Sequence, residues 1–305
     1  MPFYVLKGDL VSMEVDAIVN ASNVNLKMVE GVGRAIFHKA GDRELALACK
    51  QIGSCKVGDA VATPSFNLTN CKTIFHAVAP IYINGKHGEE KLLISAYKKC
   101  LKLLDEKGLH TIAFPLLSGE FNYPLNEAYE IAYKVILDYL KTHKNNTIYL
   151  VMYKNFPATI DDGVQEKLTT YITTNYSVKD EQEDATIAKD NLEFVETVRK
   201  YQNETNTDDD TLILDGNLST KLFNNLVTNK DYIPSKNVCL AFAIAMKLDE
   251  KETIKLLKSC GYQLVKSNLL DLIVDFYINQ KLFNVYKINN ALFNYNLSPL
   301  GAFGY

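Results

Sequence analysis

The 305-residue chain is defined first by what it lacks. No stretch approaches the ~18 apolar residues that a membrane-spanning helix needs, so no membrane association is expected. The opening, Met1-Pro2-Phe3-Tyr4-Val5-Leu6, has no basic start and no small-residue cleavage site. It reads as a strand rather than a secretory signal, and the expected location is cytoplasmic. Six cysteines are present (Cys49, Cys55, Cys71, Cys100, Cys239 and Cys260), but none forms a C-x-x-C pair and no Cys/His cluster has zinc spacing. They read as free thiols in a reducing compartment, and no metal site is expected. The five histidines (His38, His76, His87, His110 and His143) are scattered, and none is expected to pair with a nearby acidic residue or nucleophile. His76, inside an apolar run, reads as a satisfied core or rim residue. There is no repeat of fixed period, and no arginine follows Arg199.

What is present fits a globular protein of two domains: 47% hydrophobic residues, 23% charged, and a length that exceeds one ordinary core. Charge is uneven. Residues 1–156 carry 18 Lys and Arg against 15 Asp and Glu, residues 157–215 carry 5 against 15, and residues 216–305 carry 10 against 6. The middle segment, 157–207, is expected as an acidic linker with a helix over Glu193 to Gln202, and 208–305 as a separate helical domain.

The first half alternates strands and helices. Val15 to Asn20, Ala60 to Thr63, Thr73 to Ala79, Thr111 to Leu117 and Thr147 to Tyr153 read as strands. Arg34 to Ala40, Glu90 to Lys107 and Leu125 to Thr142 read as helices, the last two with apolar residues at three- and four-residue spacing. Alternation of this kind implies an α/β sheet with covered faces. Ligands of such sheets bind at the carboxyl ends of strands, beside helix starts. Two loops have that placement. The first leaves VDAIV through Asn20-Ala21-Ser22-Asn23 and runs to Gly31-Val32-Gly33, where a helix begins. Main-chain N–H groups at a helix start attract phosphate, and glycines let it approach. The second is Ser118-Gly119-Glu120-Phe121-Asn122-Tyr123-Pro124. Either loop alone reads more readily as an ordinary strand-to-helix connection.

Lys7-Gly8-Asp9-Leu10, Val15 to Asn23, Gly58-Asp59-Ala60-Val61, Ile74 to Pro80 and Ile112 to Ser118 stand in one order with consistent gaps. Together they resemble the macrodomain family over residues 1–156. The resemblance implies a three-layer α/β/α domain with a mixed central sheet, followed here by an all-α domain. It implies ADP-ribose as ligand, with no further cofactor. Asp9, beside Leu10, would receive the adenine amino group. Asn23 would contact the distal ribose, a carboxamide being able to donate to one hydroxyl and accept from another. Gly31, Val32 and Gly33 would hold one phosphate. Ser118, Gly119, Glu120, Phe121 and Asn122 would hold the other phosphate and the distal ribose, and Tyr153 would cover the adenine.

The departures from the family pattern bear on catalysis. Hydrolytic relatives often read GGGGVDGAI in the first loop, where this chain has Met28-Val29-Glu30-Gly31-Val32-Gly33-Arg34-Ala35-Ile36. Gly33 stands at the Asp position, so that general base is absent. The second loop carries Glu120, and a carboxylate beside a diphosphate is unfavourable unless it faces sugar or solvent. Glu120 therefore reads as a base or water-positioning group, as a selector of ligand, or as an outward-facing residue. Glu30 and Arg34 read as surface residues. Ser118 lacks the flanking pattern of a nucleophile elbow.

In the last third, helices are read over Asp208 to Asp215, Ser219 to Thr228, Lys236 to Lys247, Lys251 to Cys260, Asn268 to Asn279 and Val285 to Phe293, with Ser219 as an N-cap. The pattern resembles a degenerate phage-repressor-like helix–turn–helix domain. Its candidate recognition helix offers only Lys221, Asn224 and Asn225, which is thin for base readout. A module for protein contacts is the stronger expectation. The leading expectation for the whole is an ADP-ribose-binding protein that hydrolyses ADP-ribosyl esters on modified macromolecules, with Asn23 and Glu120 as catalytic residues. The alternatives are a non-catalytic sensor relaying through the helical domain and a DNA-binding regulator.

Overall fold

Residues 3–117, 122–152, 162–176 and 190–301 are described in the computed structural model. The chain divides into two compact units, Phe3–Thr159 and Ile160–Tyr305. In the first, the strands are β1 (Phe3–Lys7), β2 (Ala17–Ser22), β3 (Ala60–Pro64), β4 (Thr73–Val78), β5 (Thr111–Pro115) and β6 (Thr147–Met152). The helices are α1 (Val32–Ala40), α2 (Asp42–Ile52), α3 (Glu89–Glu106) and α4 (Leu125–Leu140). The sheet order is β1-β6-β5-β2-β4-β3. All neighbours are parallel except β3, which runs antiparallel to β4. The mixed sheet agrees with expectation.

β2 and β4 are buried along their whole length, the property of central strands covered on both faces. One face of β2 packs with Ile36 and Phe37 of α1 and with Leu45 and Cys49 of α2 in a single apolar cluster. β2 starts two residues later than the reading Val15 to Asn20 and runs through Ser22. Asn20, Ala21 and Ser22 are strand residues paired with His76, Ala77 and Val78, not loop residues, because pairing with β4 outweighs their polar composition. Asp16 forms the entry instead. Its Oδ2 accepts from the backbone N–H groups of His110 (2.9 Å) and Thr111 (3.0 Å) and from the Thr111 hydroxyl (3.0 Å), while Lys72 Nζ lies 2.6 Å from Oδ1. Burial raises the acid's pKa, but these partners outweigh it and hold Asp16 at about 2.

Helix α2 is not anticipated by the sequence pattern. Of its eleven residues only Leu45 and Cys49 are buried, so its apolar stripe is a single i,i+4 pair. In the second unit the helices are α5 (Asp162–Asn175), α6 (Leu192–Thr205), α7 (Asp209–Asp215), α8 (Thr220–Thr228), α9 (Lys236–Ala245), α10 (Glu250–Lys258), α11 (Leu269–Asn279) and α12 (Val285–Asn294). Ser219 caps α8 as expected, accepting from Leu222 N–H at 3.0 Å. Within the acidic stretch 157–207, α6 contains the helix expected over Glu193 to Gln202, and α5 is an element the sequence pattern does not anticipate. Phe194, Val198 and Tyr201 are buried, and α5 docks on α11 through the Tyr171 hydroxyl, 2.5 Å from Asp275, and a Tyr171–Phe276 ring contact. Among the described residues no helix is long and apolar enough to cross a membrane.

A polar cluster lies inside the first unit. The Asn20 amide donates to His76 Nδ1 (3.1 Å), and Nε2 sits 2.9 Å from the Thr63 hydroxyl and 3.9 Å from Cys49 Sγ. His76 is completely buried, a satisfied core residue as read from its run. Because the amide nitrogen only donates, Nδ1 accepts and the ring proton sits on Nε2. Burial lowers the imidazole pKa from 6.5 to about 4. Between those values the unfolded chain binds a proton that the folded chain refuses, so stability falls as pH drops through that window. Wild type is expected to lose ~3 kcal/mol more than His76→Gln between pH 7 and pH 4 in urea unfolding. Parallel losses in the two proteins contradict this.

Candidate functional site

Because β1, β6, β5 and β2 are adjacent and parallel, the segments that follow them leave one edge of the sheet. Asp9 and Leu10 follow β1, Asn23 to Gly33 follow β2, and residues 116–124 follow β5. The topology thus gathers both candidate loops on neighbouring strands.

The first loop ends at α1. Gly31 is its N-cap, with φ 72°, no side-chain cap bond, and no acid in the first turn. A left-handed φ suits glycine. The first-turn N–H groups therefore keep their anion-attracting character. Val32 is half-buried and Gly33 is buried. Glu30 and Arg34 are exposed and paired at 3.0 Å, surface residues as expected. Asn23 is half-buried and closes its own loop: Oδ1 accepts from Asn25 N–H (3.1 Å) and Lys27 N–H (3.2 Å), and Nδ2 donates to Lys27 O (3.1 Å). An amide has two N–H donors, which leaves one for a sugar hydroxyl.

Asp9 is exposed and caps a short 3₁₀ turn at Leu10–Ser12, accepting from Val11 N–H at 3.2 Å. Leu10 is buried in the apolar cluster beneath it, so a contact with ligand would fall to its neighbour or main chain. Asn122 is exposed, with φ 59°. Ser118, Gly119, Glu120, Phe121 and Tyr153 lie outside the described residues.

The histidines correct one expectation. His38 lies 2.9 Å from Asp42, His87 3.7 Å from Glu89, and His143 3.3 Å from Asp105. Two of these pairs join residues two and four positions apart, and the third is brought together by the fold. The His38 and His143 pairs are at the surface, whereas His87 is an exposed imidazole beside the buried carboxylate of Glu89. All six cysteines are free and buried. Burial pushes Cys49, Cys55 and Cys71 up to about 11, so they stay protonated and are poor nucleophiles. Among the described residues no three His, Cys, Asp or Glu side chains converge as a metal site.

Sequence reasoning overlooked Val29. A Cβ placed on Gly33 would lie 2.5 Å from Val29 Cγ2 and 3.3 Å from Asn20 Oδ1. Val29 thus fills the space that a side chain at position 33 needs, and the missing carboxylate is part of a packed arrangement. Asn20 Oδ1 and Ser22 Oγ are buried without a partner in the structure, so the strand end behind this loop is polar. Gly33→Ala alone is expected to destabilise by ~1–3 kcal/mol through overpacking. Adding Val29→Ala, which deletes the clashing methyl, should recover part of that loss in a double-mutant cycle. Strict additivity in denaturant unfolding contradicts the clash.

The family model described as Macro domain matches residues 19–132. The macro domain-containing protein TTE0995 of Caldanaerobacter subterraneus is 43% identical over 169 residues, covering 54% of this chain and 95% of that protein. An O-acetyl-ADP-ribose deacetylase of Salmonella newport is 39% identical over 155 residues, covering 49% of this chain and 86% of its own length. The solved structure of the Oceanobacillus iheyensis macrodomain with ADP is 31% identical, covers 56% of this chain and 91% of that one, and has a TM-score of 0.47. Through its N-terminal half, the chain belongs to the macrodomain family.

Proposed function

We propose that the N-terminal unit binds ADP-ribose and hydrolyses ADP-ribosyl esters. The observation that carries this reading is the start of α1, with a glycine cap, an acid-free first turn and uncapped N–H groups, reached from β2, the strand that pairs with β5. A diphosphate is the ligand chemistry that suits such a start. The deacetylase activity named for the Salmonella relative supports an ester on the distal ribose as the substrate class. In that reaction water adds to the acyl carbon, the acyl–oxygen bond breaks, the sugar oxygen takes up a proton from the water, and the acyl group leaves as the carboxylic acid. Asn23 is assigned to the ribose through its remaining amide N–H, and Glu120 to the water. Asp9, Leu10, Gly31, Val32, Gly33, Ser118, Gly119, Phe121, Asn122 and Tyr153 complete the proposed ligand contacts, and no cofactor is assigned. The proposed location is the cytoplasm, where free thiols persist.

One observation favours a second reading. With Gly33 at the Asp position and Val29 packed over it, the first loop supplies no carboxylate. A non-catalytic ADP-ribose sensor fits that loop, with the helical unit as its protein-interaction module. A DNA-reading role for the helical unit rests on Lys221 and Asn224, both exposed on α8, and is the weaker proposal.

Calorimetry with ADP-ribose and a hydrolysis assay on O-acetyl-ADP-ribose separate these readings. Wild type is expected to bind, and Asn23→Ala to bind about tenfold more weakly. Turnover that Glu120→Gln abolishes supports the hydrolase. Binding without turnover supports the sensor, and no binding overturns both.

A further inference from the structure

Residues 23–31 join β2 to α1, and among them only Leu26 is buried. Its side chain is 1% exposed and packs in the apolar cluster with Val15, Ile18, Ile36 and Cys55. Its backbone is uncommon for such a residue, with φ 55°. In the left-handed region the Cβ of an L-residue crowds the following carbonyl oxygen, so such positions ordinarily take glycine or asparagine. Leucine stays here because burial of its side chain offsets the crowding. Returning φ to negative values would swing that side chain out of the cluster. Burial and backbone conformation at Leu26 are therefore coupled.

The turn that Leu26 completes is built around Asn23. Leu26 N–H donates to Asn23 O at 2.9 Å, and Cys55 N–H donates to Val24 O at 3.0 Å, bracing the turn from the segment that follows α2. The residues on either side of Leu26 hold the Asn23 side chain. Asn25 N–H and Lys27 N–H donate to Oδ1, and Nδ2 donates to Lys27 O. An amide oxygen has two lone pairs and an amide nitrogen two N–H groups. Both lone pairs and one N–H are thus engaged, which fixes the plane of the amide and its orientation. What remains is one donor of set direction and no acceptor.

We infer that Leu26 is the positioning residue for Asn23: its buried side chain holds the left-handed turn, and the turn locks the Asn23 amide so that its remaining N–H meets a ligand hydroxyl acting as acceptor. The inference rests on the ADP-ribose reading of the first loop. Leu26 does not touch ligand and acts through the main chain of residues 25–27. A side chain already locked has little rotational freedom to lose on binding.

The test uses the full chain with three changes at Leu26. Leu26→Ala removes the anchor. Leu26→Ile keeps the apolar volume, but its β-branch resists the left-handed backbone. Leu26→Met keeps both the volume and an unbranched Cβ. Leu104→Ala, a fully buried change on α3, controls for loss of stability alone. ADP-ribose affinity is measured by calorimetry well below every melting temperature, and amide exchange of the peptide spanning 23–31 by mass spectrometry. Leu26→Ala and Leu26→Ile should weaken ADP-ribose about tenfold and speed exchange in that peptide. Leu26→Met should stay close to wild type in both. Leu104→Ala should lower the melting temperature with affinity and local exchange kept. Wild-type exchange in Leu26→Ala and Leu26→Ile, equal acceleration in Leu104→Ala, or faster exchange with undiminished affinity overturns the inference. Should Leu26→Ala not fold, Leu26→Ile against Leu26→Met carries the test. If wild type fails to bind ADP-ribose, the functional reading falls, and exchange alone still decides whether Leu26 holds the turn around Asn23.

Discussion

The structure of the first unit depends on β2 being a central strand with no exposed residue. Paired with β4 on one side and β5 on the other, it cannot shift register without moving apolar and polar residues to the wrong face. Its entry is fixed by the Asp16 contacts to His110 and Thr111. Its exit, at Ser22, fixes where the first loop begins. The pairing continues through Asn20 and Ser22 although both are polar, because Asn20 finds His76 across the ladder. The price of that continuity is a polar interior, which His76 bears as a neutral imidazole.

From this strand the site follows by geometry. Parallel neighbours send their following segments to one edge, and α1 presents its N–H groups there under a glycine cap. One of the chain's departures from the family pattern falls in this first loop. Where hydrolytic relatives often carry an Asp, this chain has Gly33, and Val29 occupies the adjoining space. The two residues are a matched pair, so the change is a repacking of the loop. The hydrolase reading therefore assigns its carboxylate to the other loop.

Much of this was legible in sequence, and the exceptions have physical causes. β4, α3, β5, α4 and β6 were placed to within one or two residues because their runs are long or strongly periodic. α2 was invisible because two buried residues make too narrow a stripe, while exposed Leu47 and Ile52 blur the period. α5 was read as linker because threonine is a weak helix former. There Thr169, Thr170, Thr173 and Thr174 each donate to the carbonyl four residues back, and the helix is secured by Tyr171 reaching Asp275. In the proposed site, the resemblance pointed to two loops and to candidate residues within them. It did not point to Val29 or Leu26, whose partners are set by three-dimensional packing rather than by a motif.

The central claim is that a pyrophosphate lies between the start of α1 and the loop that follows β5. A crystal structure of the protein soaked with ADP-ribose tests it most directly. The expected result is one phosphate within ~3 Å of the first-turn N–H groups of α1, with the second toward residues 118–122. A nucleotide bound elsewhere, or a first turn closed to phosphate by Val29 and Glu30, contradicts the claim.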